Sequence, residues 1–214
     1  MSGSYKFEKI ASLDKSILTA NPDLELHRNQ VKIPLSTPDA KLLKCFDWIK
    51  SNDQEMIALG YSFGRVLLGR LIEEKLKLVA EFVPKHSRSC IDVAFCPINS
   101  NLLATALDKV RNDCGLNVWD IEQCTVGSDF VVSQFKGSTG SLYSNNNEKP
   151  IASYGSSEGI SSMAWFHSSA KIIAGMSQKW IRLFDLRGKS ILLSHRYYVI
   201  FSYFFYQSCS WNYY

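Results

Sequence analysis

The chain has 214 residues, 46% of them hydrophobic and 21% charged, and a formal net charge of +4 at pH 7. That length suits one ordinary domain, and the composition is globular. The positive excess is mild and scattered, with Lys41, Lys44, Lys75, Lys77, Lys85 and Arg88 set among acids; no basic stripe with interleaved aromatics appears, so nucleic-acid binding is unsupported.

Residues 1–40 are weakly patterned. Phe7, Ile10 and Leu13 fit an edge strand, and Pro22, Pro34 and Pro38 punctuate the rest of the segment. We expect an N-terminal arm or a ring-closing strand here. The stretch Met1 to Lys9 has no apolar core of the kind a signal peptide needs.

Residues 41–190 repeat themselves, and internal repetition outranks isolated motifs. One unit runs through Cys45-Phe46-Asp47-Trp48, Met56 to Gly60, and Gly64 to Leu68. A second runs through Ile91 to Phe95, Leu102 to Ala106, and Leu116 to Asp120. A third runs through Ile160 to Trp165, Ile172 to Gly175, and Trp180 to Asp185. Each reads as a strand ending in an aromatic, a turn, an apolar strand ending in small residues, a turn, and an alternating strand. The aromatic-to-small offset is 12, 11 and 10 residues in turn. Short, evenly spaced strands with small residues near a crowded axis are the pattern of a propeller blade. The expected fold is all-β: a WD-repeat β-propeller with about three recognisable four-stranded blades. Blades of ~40–45 residues leave room for about five at most, so an incomplete propeller is expected. Leu71 to Val79 suits a helix or an outer strand, and repeat phasing favours the strand.

His86 lies nine residues before Phe95. In a WD repeat, a His at that offset can bond a Ser or Thr, then a turn Asp, then the Trp. Thr105, Asp108 or Asp113, and Trp119 are the candidates, with Asp120 completing the Trp-Asp pair. The role is structural, because buried polar groups must be paired. A catalytic His–Asp reading has no geometric support in the sequence.

Residues 122–159 are longer than a blade connection needs. Gly137 to Ser141 and Asn145 to Asn147 are rich in turn formers, so a long surface loop is expected. Within this stretch Gly155-Ser156-Ser157-Glu158-Gly159 fits Gly-x-Ser-x-Gly, with Ser157 as the nucleophile of an alternative serine hydrolase. A nucleophile elbow needs a helix after the Ser, whereas Ile160 to Phe166 aligns with a strand.

Residues 191–214 break the pattern, with ten of 24 positions aromatic and none acidic. We expect a non-propeller tail, foreign to the fold and intron-derived or from an alternative last exon. A membrane span needs ~20 predominantly apolar residues, and Tyr197 to Tyr206 is shorter and Tyr-heavy.

The cysteines stand at 45, 90, 96, 114, 124 and 209, with no Cys-x-x-Cys pair. Zinc binding is therefore not expected, and Cys45 and Cys90 suit a role as small core hydrophobes. No glycosylation sequon occurs. A reducing, intracellular setting fits best. No phosphate-binding loop and no His-Glu-x-x-His are present, so no cofactor, metal or catalytic residue is assigned.

Several of these strings together resemble one family. They are Leu43-Lys44-Cys45 with Trp48, Gly60 with Gly64-Arg65-Val66, Glu81-Phe82-Val83-Pro84-Lys85-His86, Leu107-Asp108-Lys109, Trp119-Asp120-Ile121, Ala174-Gly175-Met176 and Phe184-Asp185-Leu186-Arg187. The chain is similar over about 40–188 to the N-terminal part of the Mios (missing oocyte) WD-repeat family, subunits of the GATOR complex. The resemblance implies a non-enzymatic scaffold whose partners are the complex's other WD-repeat subunits. It also implies promotion of amino-acid-dependent TOR complex 1 signalling, in the cytoplasm and at the lysosomal surface through the complex. Nucleic acid and small-molecule substrates are not implied. A coat or nuclear-pore WD-repeat scaffold is the alternative that fold alone does not separate.

Overall fold

Successive side chains of a strand point to opposite faces, so a strand that is apolar at every position must be covered on both sides. The last six residues of Gln54–Tyr61, Met56 to Tyr61, meet that condition and are all buried. The computed structural model shows why. It describes residues 9–13, 16–20, 23–28, 31–37, 39–51, 54–122, 149–177, 180–187 and 190–196.

These form four antiparallel sheets of four strands each. The first holds β1 (Lys9–Leu13), β2 (Ser16–Ala20), β3 (Leu24–Arg28) and β4 (Val31–Leu35). A short 3₁₀ turn, Ala40–Leu42, leads to the second: β5 (Leu43–Ser51), β6 (Gln54–Tyr61), β7 (Val66–Ile72) and β8 (Lys75–Phe82). The third has β9 (Cys90–Cys96), β10 (Asn99–Leu107), β11 (Cys114–Asp120) and β12 (Ala152–Ser156). The fourth has β13 (Ile160–Phe166), β14 (Ser169–Met176), β15 (Trp180–Asp185) and β16 (Ser190–Arg196). Strand order within each sheet follows the chain. The first strands β1, β5, β9 and β13 lie against one another, so they line the axis and the fourth strands lie outside.

The core is divided among the interfaces between sheets. Leu18, Leu24 and Leu26 of the first sheet cluster with Phe46, Trp48, Ile57 and Leu59 of the second. The opposite face of the second sheet, with Ala58, Leu68 and Phe82, meets Val93, Phe95 and Trp119 of the third. Ala104, Leu116, Val118 and Tyr154 then meet Met163, Trp165, Ile172 and Phe184 of the fourth. Each large buried apolar side chain contributes roughly 1.5–3 kcal/mol, against 0–1 for an exposed ion pair, so these interfaces dominate the energetics. Near the axis the sheets crowd. A Cβ on Gly60 would lie 2.7 Å from the Cys90 sulfur and also strike that of Cys45. The Cys45 and Cys90 sulfurs are themselves 3.7 Å apart, both buried and neither in a disulfide.

Polar contacts also cross between sheets. Asp47 Oδ2 accepts from the Phe95 amide at 2.7 Å. Trp165 Nε1 donates to the Ala94 carbonyl at 2.9 Å. Arg28 grips Glu55 with bonds of 2.7 and 2.9 Å. A register shift recurs where the first strand leaves the rim, at Leu43/Cys45, Ala106/Leu107 and Ile160/Ser162. Such bulges add twist and re-aim the strand end.

The chain departs from the sequence expectation at four places. Lys9–Leu35, expected as an arm or closing strand, builds a whole sheet, giving four rather than three. Its strands are only five residues long, and Leu24–Arg28 has just two buried positions. Within 122–159, expected as a loop, Ala152–Ser156 is the outer strand of the third sheet, paired to β11. Residues 123–148, with the Gly/Ser and Asn runs, lie outside the described residues. Of 191–214, expected as tail, residues 191–196 belong to β16, paired to β15; 197–214 lie outside the described residues. Leu71 to Val79, where phasing favoured one outer strand, instead spans the end of β7, a turn at Glu73 and Glu74 with φ of 49° and 61°, and the first part of the outer strand β8.

Candidate protein-interaction site

An indole N–H buried in a core must find an acceptor. Trp119 Nε1 finds Thr105 Oγ1 at 3.0 Å, and Phe82 packs on the indole with centroids 4.9 Å apart. These two members of the expected network are joined. The others are not joined to them. His86 is exposed on the connection 83–89. Asp108 is exposed, its Oδ1 accepting from the Lys109 amide at 2.6 Å. Asp120 lies at the opposite end of the blade, where Oδ1 accepts from the Glu122 amide at 3.1 Å.

Asp113 has a partner that the sequence did not single out. Arg88, two residues past His86, turns inward with a side chain 3% exposed. Its Nη2 donates to the Cys114 carbonyl at 2.6 Å and lies 3.0 Å from Asp113 Oδ2. Its Nη1 donates to the Asp108 carbonyl at 3.3 Å. A planar guanidinium can meet a carboxylate and carbonyls at once, which an imidazole cannot. Burial pushes the Arg88 guanidinium below its ordinary range, and Asp113 opposes that shift. Burial, with Asp113 adding, pushes the Cys114 thiol up. The legible signal was a lone Arg between serines, just before an apolar strand and facing the acidic turn Asn112-Asp113.

The connections at this end form a bonded belt. The same backbone bond recurs in three sheets: Ser62 N–H to Leu42 O, Asp108 N–H to Ser89 O, and Ser177 N–H to Gly159 O, each 2.9 Å. Between the third and fourth sheets, Ser157 N–H reaches Asp113 O at 2.8 Å, and the Asn112 amide donates to Ser157 Oγ at 3.0 Å. Gly64 (φ +81°) leaves room for Pro84 and the Arg88 carbonyl, and Gly159 leaves room for the Lys109 amide. Ser157, the candidate nucleophile, thus sits in a turn between β12 and β13. Its context is strand–turn–strand, and the elbow geometry of a hydrolase is not met.

Two of the belt's acids are turned inward, and Asp108 is exposed. Asp113 pairs with Arg88, and Glu158 pairs with Arg182. Its cations Lys85, Lys109 and Arg111 are exposed. Phe63 and Val83, at 54% and 56% exposure, add apolar surface. Among the described residues no three His, Cys, Asp or Glu side chains converge as metal ligands. No helix among them is long and apolar enough to cross a membrane.

Residues 25–199 match the family model described as MIOS, WD40 repeat. The chain is 29% identical over 179 residues to the GATOR2 complex protein MIOS of Dictyostelium discoideum, covering 70% of this chain and 16% of that protein. It is 33% identical over 164 residues to the Danio rerio protein of that name, covering 71% and 18%. It is 31% identical over 136 residues to the GATOR2 complex protein Mio of Drosophila melanogaster, covering 64% and 13%. The chain therefore spans less than a fifth of the length of each of these relatives. Among solved structures, the WD40 domain of Toxoplasma gondii coronin superposes with a TM-score of 0.61 at 15% identity, covering 87% of this chain and 44% of that one. The computationally designed Ika8 protein gives 0.58 at 12% identity, covering 87% and 48%. Identities this low speak to the fold alone, which is the WD-repeat propeller expected from the sequence.

Proposed function

Because the chain belongs to the MIOS WD40-repeat family, we propose that it is a propeller portion of a GATOR2 scaffold subunit. It works by presenting bonded loops to other subunits, with no chemistry of its own. The observation that carries this reading is the family match across 25–199, shared with relatives that are themselves named GATOR2 complex proteins. The geometry supports it. Rigid sheets position surface loops, and loops held on a rigid scaffold are where binding usually resides. The polar network in the third sheet, Trp119–Thr105 and Arg88–Asp113, is a fold-holding device in this reading.

Partners would be the other WD-repeat subunits of the complex. The wider role would be promotion of TOR complex 1 signalling when amino acids are plentiful. The place would be the cytoplasm and, through the complex, the lysosomal surface. Affinity capture of the tagged chain from cells, with mass spectrometry, tests this. The expected result is enrichment of the other GATOR2 subunits. Enrichment of coat or nuclear-pore subunits instead, or of none of these, would overturn it.

A further inference from the structure

Four connections, 62–65, 83–89, 108–113 and 156–159, form one end of the second and third sheets and the entry to the fourth. Four of their backbone amides, at Ser62, Asp108, Asn112 and Ser157, are engaged within the belt. These connections run between strands and offer no strand edge of their own, so recognition runs through side chains. Those side chains have a clear sign. Lys85, Lys109 and Arg111 are exposed, and Asp108 is the one exposed acid in the four connections. Among the described residues the three cations have no ion-pair partner. The remaining acids, Asp113 and Glu158, are held by Arg88 and Arg182. At the opposite end exposed Glu73, Glu74 and Glu122 stand among exposed Lys50 and Lys75, so the charge there is mixed.

Phe63 and Val83 stand on two of these connections, which touch where Gly64 meets Pro84. Exposed apolar groups rimmed by charge of one sign mark an interaction surface. We propose that this end of the second and third sheets docks an acidic peptide segment bearing an aromatic or long aliphatic side chain. The carboxylates lie on Lys85, Lys109 and Arg111, and the apolar side chain covers Phe63 and Val83. A lipid surface fits less well. Stable membrane attachment takes two signals, such as an inserted chain plus a polybasic cluster, and this end offers three spaced cations and no apolar helix. The proposal rests on the scaffold reading above and assigns it a surface.

The test is fluorescence anisotropy of the full chain with a short fluorescein-labelled peptide of glutamates interrupted by phenylalanine and leucine. Saturable binding is expected, weakening as salt rises. Lys109→Glu with Arg111→Glu should lower the affinity roughly tenfold, and Phe63→Ser should lower it separately. Glu73→Lys at the opposite end should leave it unchanged. All of these positions are exposed, and circular dichroism confirms that each variant keeps its fold. Absence of saturable binding overturns the proposal. So does equal binding of the lysine-substituted peptide, or loss of affinity in Glu73→Lys alone. Phosphatidylserine-containing vesicles form a separate arm. If they bind more tightly than the peptide, and the same variants abolish it, the surface is a membrane site and the proposal falls. The capture experiment separates the two claims. Peptide binding without captured GATOR2 subunits sinks the scaffold reading and leaves the docking surface standing, while the reverse sinks only the docking surface.

Discussion

The third and fourth sheets each tie the connection before the first strand to the third-strand segment by one ion pair, with the charges exchanged. In the third, the connection before the first strand carries the cation, Arg88, and the turn just before the third strand carries the acid, Asp113. In the fourth, the connection carries Glu158 and the third strand carries Arg182. Behind this joint the third sheet uses Trp119 bonded to Thr105, whereas the fourth has Phe184 packed on Tyr154 with centroids 4.8 Å apart. In the register, Trp119 faces Leu103 and Phe184 faces Ile172; the position two further along β10 is Thr105 and along β14 is Ala174. So a polar ring comes with a hydroxyl, and an apolar ring with a methyl. The Asp of the pair keeps one task in both. Asp120 accepts from the amide two residues on at 3.1 Å, and Asp185 does the same at 3.0 Å. The Trp-Asp signature therefore combines a replaceable core ring with a fixed turn acceptor.

Deleting the apolar ring should have the largest effect. Phe184 is fully buried, and Phe184→Ala should cost about 3–5 kcal/mol in urea unfolding of the chain. A loss near that of a surface substitution would break the equivalence of the two rings. Removing the fourth sheet's cation comes next. Arg182→Met should cost about 1.5–3 kcal/mol, the range for a hydrogen bond to a charged group, because Glu158 is only 12% exposed. Trp119→Phe should cost about 1 kcal/mol, the net worth of one hydrogen bond. Adding Thr105→Ala to it makes the third sheet resemble the fourth, and the double variant should be no worse than the single. A further loss would show that Thr105 acts through its 3.5 Å bond to the Asn117 carbonyl instead.

The smallest effect concerns pH. The Arg187 side chain, hydrogen-bonded to Asp185, holds its carboxyl below the usual range. A carboxyl with a folded pKa below its unfolded value, ~3.9, stabilises the fold above that pH and loses the contribution as pH falls through the folded pKa. Asp185→Asn should therefore lower stability at neutral pH and flatten the acid limb below about pH 4 by a matching amount, so that the two profiles converge in acid. A neutral-pH loss larger than the acid-limb change would show that Asp185 matters as a turn acceptor more than as a charge.

The first three strands of the second to fourth sheets were legible because both faces of a middle sheet are covered, which leaves near-continuous apolar runs such as Met56 to Tyr61. The Trp119–Thr105 bond was legible because its offset fits the repeat. The first sheet was not legible. Its strands are short, and Pro34 in β4 reads as punctuation although an outer strand tolerates it. Ala152–Ser156 was hidden by its Ser and Gly content. Spacing placed His86 in the network, yet spacing cannot tell which of two residues in a connection turns inward. That depends on how the loop packs, and here Pro84 against Gly64 carries the chain so that Arg88 enters and His86 stays in solvent.

The most direct test of Arg88 as the residue that fastens the third sheet is a pair of urea unfolding curves, for Arg88→Met and for His86→Ala. Removing Arg88, itself buried, strands a partly buried carboxylate and two carbonyls, and a loss of about 3–5 kcal/mol is expected. His86→Ala, at an exposed position, should change stability by no more than about 0.5 kcal/mol. A His86→Ala loss equal to that of Arg88→Met would contradict the account and return the histidine to the network.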